Sequence, residues 1–193
     1  MNLDTQKIFV FTGPNGAGRK TVAEMSGSTL GLKQVLSYTT RAPRPGEVDG
    51  QEYHFITREA FEAARANDEF VEVIELDDRL YGIKRQDIEQ MLGTHQFIYL
   101  ILNRHGGRIL KELYGDKVVQ IFIYVDLDRI VDRNRKRGDS EEDIAGYIAH
   151  YDEEMAYKNE CDHIFENIDL AHTVFDLTKT LDGYMQRKLL ELD

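Results

Sequence analysis

Gly13-Pro14-Asn15-Gly16-Ala17-Gly18-Arg19-Lys20-Thr21 is the segment that narrows this chain most. It follows Lys7-Ile8-Phe9-Val10-Phe11-Thr12, an apolar, β-branched and aromatic run of strand length, and it leads into Thr21-Val22-Ala23-Glu24-Met25, which reads as helix. Strand, glycine loop and helix in that order are the setting of a phosphate-binding loop. Gly13, Gly16 and Gly18 let the backbone come close to a polyphosphate, and the free N–H groups of a helix start point at the anion.

The loop keeps only the glycine skeleton of the pattern G-x-x-x-x-G-K-S/T. In that pattern the lysine sits against the outer phosphates and the hydroxyl that follows it holds Mg²⁺. Arg19 keeps the charge at the first position with a different reach and a forked donor geometry. Lys20 brings a cation and no oxygen ligand to the second, and Thr21 lies about 100° further round the helix.

The chain is 193 residues long with 41% hydrophobic content, enough for one domain of ordinary size with small inserted parts. Its formal charge of −11 argues against general affinity for nucleic acid or anionic membranes, so a phosphate ligand has to be caught by local basic groups. Such groups cluster at Arg19-Lys20, at Arg41 with Arg44, and at Arg133-Asn134-Arg135-Lys136-Arg137. The acidic run Asp139-Ser140-Glu141-Glu142-Asp143 reads as a solvated helix start. A single cysteine, Cys161, excludes an internal disulfide and a cysteine-based zinc cluster. Phe97 to Leu102 is too short to cross a bilayer and the polar N-terminus resembles no signal peptide, so the expected location is cytoplasmic.

Apolar runs at Ile8 to Phe11, Gln34 to Leu36, Phe97 to Leu102 and Val118 to Val125, with helical segments between most of them, predict an α/β fold with a parallel core sheet covered on both faces. Pro43, Pro45, Gly46 and Gly50 interrupt this rhythm, and Tyr53 to Ile56 and Glu69 to Ile74 alternate like half-exposed strands. An inserted α+β subdomain over 37–93 is therefore expected. Thr57 is a candidate cap for a helix over Arg58 to Ala66, and Gly93 a candidate end for a helix starting near Lys84. Leu127 to Arg137 and Ser140 to Asn159 read as a helical hairpin broken at Gly138, followed by a short strand at Asp162 to Glu166 and an amphipathic helix over Leu170 to Leu190.

The passage Ser37-Tyr38-Thr39-Thr40-Arg41-Ala42-Pro43-Arg44-Pro45-Gly46-Glu47-Val48-Asp49-Gly50-Gln51-Glu52-Tyr53-His54-Phe55 resembles the monophosphate loop of guanylate kinases. With the loop at 13–21, Tyr81-Gly82, the segment Arg133-x-x-x-Arg137-Gly138 and Asp162 to Asn167, the resemblance spans nearly the whole chain. It implies a P-loop kinase, three layers in the order α/β/α, with core 1–36, 94–130 and 151–193, a GMP-binding insert 37–93 and a helical lid 131–150. The implied reaction carries phosphate from ATP to GMP, with Mg²⁺ expected as cofactor and small-molecule nucleotides, not nucleic acid or membrane, as partners.

By the same resemblance, Gly13 to Thr21 bind the ATP phosphates, and Arg19, Lys20, Arg133 and Arg137 are the catalytic cations. The GMP site takes Ser37, Arg41, Arg44, Tyr53, Glu72, Tyr81 and Asn103. Arg41 and Arg44 can fork onto a phosphate while the Tyr53 and Tyr81 phenols add donors. The Glu72 carboxylate suits the N1–H and 2-amino edge of guanine, and Ser37 can donate to O6. The chain departs from the family at Ile83, where a hydroxyl stands after Tyr-Gly, at Ile101-Leu102-Asn103, where two aspartates flank one residue, and at Tyr147, where a lid arginine stands. These departures weigh on the metal and the transition state. They keep two alternatives open: a catalytically inactive module that binds GMP or a phosphorylated partner, and a kinase of the same fold with another phosphorylated acceptor.

Overall fold

The structure, a computed structural model, describes residues 6–76 and 78–186. Its contacts divide the chain into two compact units, Met1–Leu32 with Tyr99–Asp193, and Lys33–Ile98.

The larger sheet is formed, in spatial order, by β2 (Lys33–Gln34), β7 (Phe97–Ile101), β1 (Lys7–Thr12), β8 (Val118–Tyr124) and β9 (His163–Glu166). β1 pairs parallel to β8, with Phe11 opposite Ile121, and β8 pairs parallel to β9. Ile8 to Phe11 and Ile121 to Ile123 are fully buried, the mark of strands covered on both faces. In the first unit α1 (Arg19–Leu30) packs on α7 (Leu170–Gln186), and α4 (Arg104–Tyr114) packs on β1 and β8. Gly27 makes one close approach possible, since a Cβ there would lie 2.8 Å from the Tyr99 ring. α5 (Leu127–Arg137) ends in the left-handed Gly138, and α6 (Glu141–Ala156) starts at Ser140, whose hydroxyl accepts from the Asp143 N–H. Glu141, Glu142 and Asp143 fill the first turn of α6, where negative charge suits the helix dipole.

The second unit holds a four-stranded sheet formed, in spatial order, by β4 (His54–Phe55), β3 (Tyr38–Thr39), β6 (Arg79–Lys84) and β5 (Phe70–Leu76). Phe61, Ala64, Phe70 and Leu80 form its core, with Phe61 stacked on Phe70 and α2 (Arg58–Ala66) capped by Thr57.

Several boundaries differ from expectation. The second core strand is Lys33–Gln34 and leaves Val35 and Leu36 outside it. β3 and β6 give no strand signal of their own in the sequence, β3 because it is two residues long and β6 because Gly82 and charged ends break its alternation. Gly93 lies inside α3 (Arg85–Thr94), which ends one residue later where His95 turns extended. Ser140 to Asn159 is α6 followed by a 3₁₀ turn over Tyr157–Glu160. Of the terminal helix, Leu170–Gln186 is seen, and the expected stretch 187–190 lies outside the described residues.

Candidate active site

In the first unit β1 delivers the glycine loop directly against β8. Gly13 has φ +131°, and a Cβ there would fall 2.0 Å from the Ile123 carbonyl oxygen, so no side chain fits. The loop turns through Ala17 N–H to Pro14 C=O (3.2 Å) and enters α1 at Gly18, φ +89°. α1 carries no side-chain cap and no acid in its first turn, which suits its N-terminal amides to an external anion.

Two side chains hold this loop by hydrogen bonds and a third packs against it. Arg133, from α5, donates from Nη1 to the Ala17 carbonyl (3.2 Å) and from Nη2 to that of Asn167 (2.8 Å). Asn167, just past β9, donates from Nδ2 to Ala17 C=O at 2.8 Å. Asn134 is 1% exposed with neither carboxamide atom partnered, and a Cβ on Gly16 would sit 2.9 Å from it. Arg19 donates to the Leu102 carbonyl (2.9 Å) and to Asn15 Oδ1 (2.8 Å), and Lys20 makes an exposed ion pair with Glu24 at 3.6 Å. Arg137 is fastened to Asp139, with Nε 3.0 Å from Oδ1. Asn103, expected to accept from a base, caps α4 instead: its Oδ1 takes the N–H groups of His105 (2.9 Å) and Gly106 (3.1 Å).

In the second unit Arg41 is 8% exposed and sits in a polar and aromatic cage. Its Nη1 and Nη2 meet both oxygens of Glu47 at 2.9 and 3.0 Å, Nη1 also donates to Ala42 C=O, and the guanidinium carbon lies 5.5 Å from the Tyr53 ring centre. Glu47 also accepts from the Arg44 N–H at 2.7 Å. Burial pushes the Glu47 carboxyl upward, but the hydrogen bonds from Arg41 and the Arg44 amide outweigh it and hold the group below its ordinary range. Tyr81 lies edge-on to Tyr53, and burial raises its phenol. The Arg44 side chain is exposed, and the Ser37 carbonyl accepts from the His54 N–H.

Glu72, on β5, is 8% exposed and its Oε2 has no partner. Burial pushes its carboxyl from 4.5 up to about 7. Cross-strand register sets it opposite Ile83, an apolar neighbour that adds to this desolvation. Between pH 4.5 and about 7 the folded chain keeps a proton on Glu72 that the unfolded chain has released, so the Glu72 contribution to stability is greatest at the acid end of that window and is lost as pH rises to about 7. The Glu72 share of that loss is about 3 kcal/mol. Denaturant unfolding at pH 5 and pH 8 should show this fall in the parent and its absence in Glu72→Gln; equal slopes in the two proteins would refute the assignment.

The guanylate kinase family model matches residues 5–184. The chain belongs to the guanylate kinase family. It is 35% identical over 172 residues to a guanylate kinase of Symbiobacterium thermophilum, covering 88% of this chain and 82% of that one, and 33% identical over 173 residues to one of Shewanella denitrificans, covering 88% and 84%. The crystal structure of guanylate kinase from Anaplasma phagocytophilum superposes with a TM-score of 0.70 at 26% identity, over 92% of this chain and 85% of that one. The fold is thus the α/β P-loop kinase fold of guanylate kinases.

As a guanylate kinase family member the chain has features that sequence reasoning passed over. Glu47 lies inside the matched passage, six residues after Arg41, but only the turn through Pro43 and Gly46 folds it back on the guanidinium. Asn134 stands four residues after the buried Ile130, the spacing of one helix face, so its burial was readable from periodicity. Tyr147 contributes its phenol to the surroundings of Arg137. At the positions where the resemblance expects donors to Mg²⁺ stand the Lys20 ammonium, paired with Glu24, the apolar side chain of Ile101, and Asn103, whose Oδ1 caps α4. Among the described residues, no three His, Cys, Asp or Glu converge on a cation site. No described helix is long and apolar enough to cross a membrane.

Proposed function

We propose that this chain is a cytoplasmic enzyme acting on small-molecule nucleotides, transferring the γ-phosphoryl group of ATP to GMP to give ADP and GDP. The observation that carries this reading is the Arg41 cage together with the buried carboxylate of Glu72, in a chain that matches guanylate kinases along almost its whole length. Glu47 occupies the end-on fork of Arg41 and so holds the guanidinium in one orientation at the acceptor-phosphate site. Arg44, exposed nearby in sequence, supplies the second cation, and Tyr53 and Tyr81 add hydroxyl donors. Glu72 as carboxylate accepts from two adjacent guanine N–H groups, a pair that adenine lacks.

On the donor side the open amides of α1, with Arg19 and Lys20, hold the polyphosphate. Arg133 and Arg137 approach the transferring group when the lid segment engages it. Phosphoryl transfer is mostly positioning and charge stabilisation, so these cations are the catalytic machinery. With Tyr147 in place of an arginine the turnover number should be low for the family, since one such cation is worth about 10³-fold or more. The test is ADP formation by purified protein with ATP and GMP. A rate above background that needs GMP and is not replaced by AMP is expected; a rate equal to background with every nucleoside monophosphate would overturn the enzyme.

A further inference from the structure

We propose that the phosphate loop of this chain takes its nucleotide polyphosphate in metal-free form, with the Lys20 ammonium standing where other P-loops place a metal-liganding hydroxyl. This rests on reading residues 13–21 as the site of the ATP phosphates.

α1 begins at Arg19, so Arg19, Lys20 and Thr21 are its first three residues and flank the amides that face the anion. The Lys20 side chain is 46% exposed, and its bond to Glu24, one turn on, is long at 3.6 Å. Exposed pairs of that kind contribute little, so Lys20 can leave Glu24 for a polyphosphate at small cost. Arg19 is fixed by Leu102 and Asn15, and Arg133 lies across the Ala17 carbonyl. A divalent ion brought in with the nucleotide would therefore meet three positive side chains around one loop.

The neighbouring strand ends do not offset this repulsion. Ile101 ends β7, and the carbonyl of Leu102, the next residue, takes Arg19. Past β8, Asp126 caps α5 and pairs with Arg129 at 3.2 Å. The buried oxygens left without a partner near the loop, Thr12 Oγ1, Asn134 Oδ1 and Asn167 Oδ1, are neutral. Mg²⁺ favours carboxylate or hydroxyl ligands alongside phosphates and water, and it neutralises the phosphate charge that Lys20, Arg19 and Arg133 need. At this site the ion and the ammonium compete for the same oxygens.

Calorimetric titration with ATP in excess EDTA and with ATP in saturating Mg²⁺, at matched ionic strength, decides the matter. The parent should bind the metal-free nucleotide about ten- to a hundredfold more tightly, the worth of one charge-assisted hydrogen bond. Lys20→Thr, which restores a hydroxyl, should reverse the order, and Lys20→Gln, which removes the charge alone, should abolish the difference. Equal or tighter binding by the parent in Mg²⁺ would overturn the proposal, as would a Lys20→Gln protein that keeps the parent's preference. If neither form of ATP binds, the reading of residues 13–21 fails instead.

Discussion

Arg41→Ala should raise the KM for GMP by about 10²- to 10³-fold, with a much smaller change in the KM for ATP. The size comes from two losses at one place. A bidentate, charge-assisted contact to the acceptor phosphate disappears, worth on the order of 3 kcal/mol. The Glu47 carboxylate, 17% exposed and drawn toward Arg41 by both oxygens, is left facing the incoming phosphate without its partner. Like charges then repel where opposite charges met, and breaking a buried pair from one side is more costly than losing both members. Arg41→Lys separates the contributions. It keeps the charge but not the fork, so it should recover part of the affinity while leaving the Glu47 geometry unsatisfied. Steady-state kinetics with each nucleotide varied in turn reads the split directly. A KM for GMP within about threefold of the parent in Arg41→Ala, far below the loss expected for a charge-assisted contact, would remove this residue from the acceptor site.

The contrast between Arg41 and Glu47 shows what a linear sequence reveals about such a site. Arg41 and Arg44 stand out by residue type in a proline-rich turn, because paired basic groups in a chain of charge −11 need a reason. Glu47 carries no such signal, being one of 35 acidic residues, and only the fold of the turn brings it back to the guanidinium. The same division runs through the fold. Long strands buried along all but their last residue, such as Val118–Tyr124, announce themselves as apolar runs. Two-residue strands such as Tyr38–Thr39 exist only because a partner strand supplies their hydrogen bonds, and no local periodicity can encode that. At the glycine loop, residue type alone told which positions could not bear side chains; it did not tell that Asn134 and Asn167 would press on Gly16 and Gly18 from two other elements.

Gly13→Ala should destabilise the protein by about 4 kcal/mol or more, among the largest effects a single methyl group can have. Two costs add. The backbone at Gly13 holds φ +131°, a conformation that side chains rarely adopt. The new Cβ would also fall 2.0 Å from the Ile123 carbonyl oxygen, which is backbone in the middle of a buried strand and not the end of a flexible side chain. Relief requires β1 and β8 to separate next to the pair Thr12–Phe122, which breaks parallel ladder bonds in the core. Gly31→Ala provides the control within the same unit. Gly31 has φ +68° but nothing within 4 Å of where a methyl group would stand, so it carries strain without collision and should cost only about 1–2 kcal/mol. For a chain of this length the melting temperature should therefore fall by roughly 8–16 °C in Gly13→Ala and by a few degrees in Gly31→Ala. Equal losses in the two variants would mean that left-handed strain alone governs both sites, and that the approach of the loop to Ile123 is looser than 2.0 Å implies.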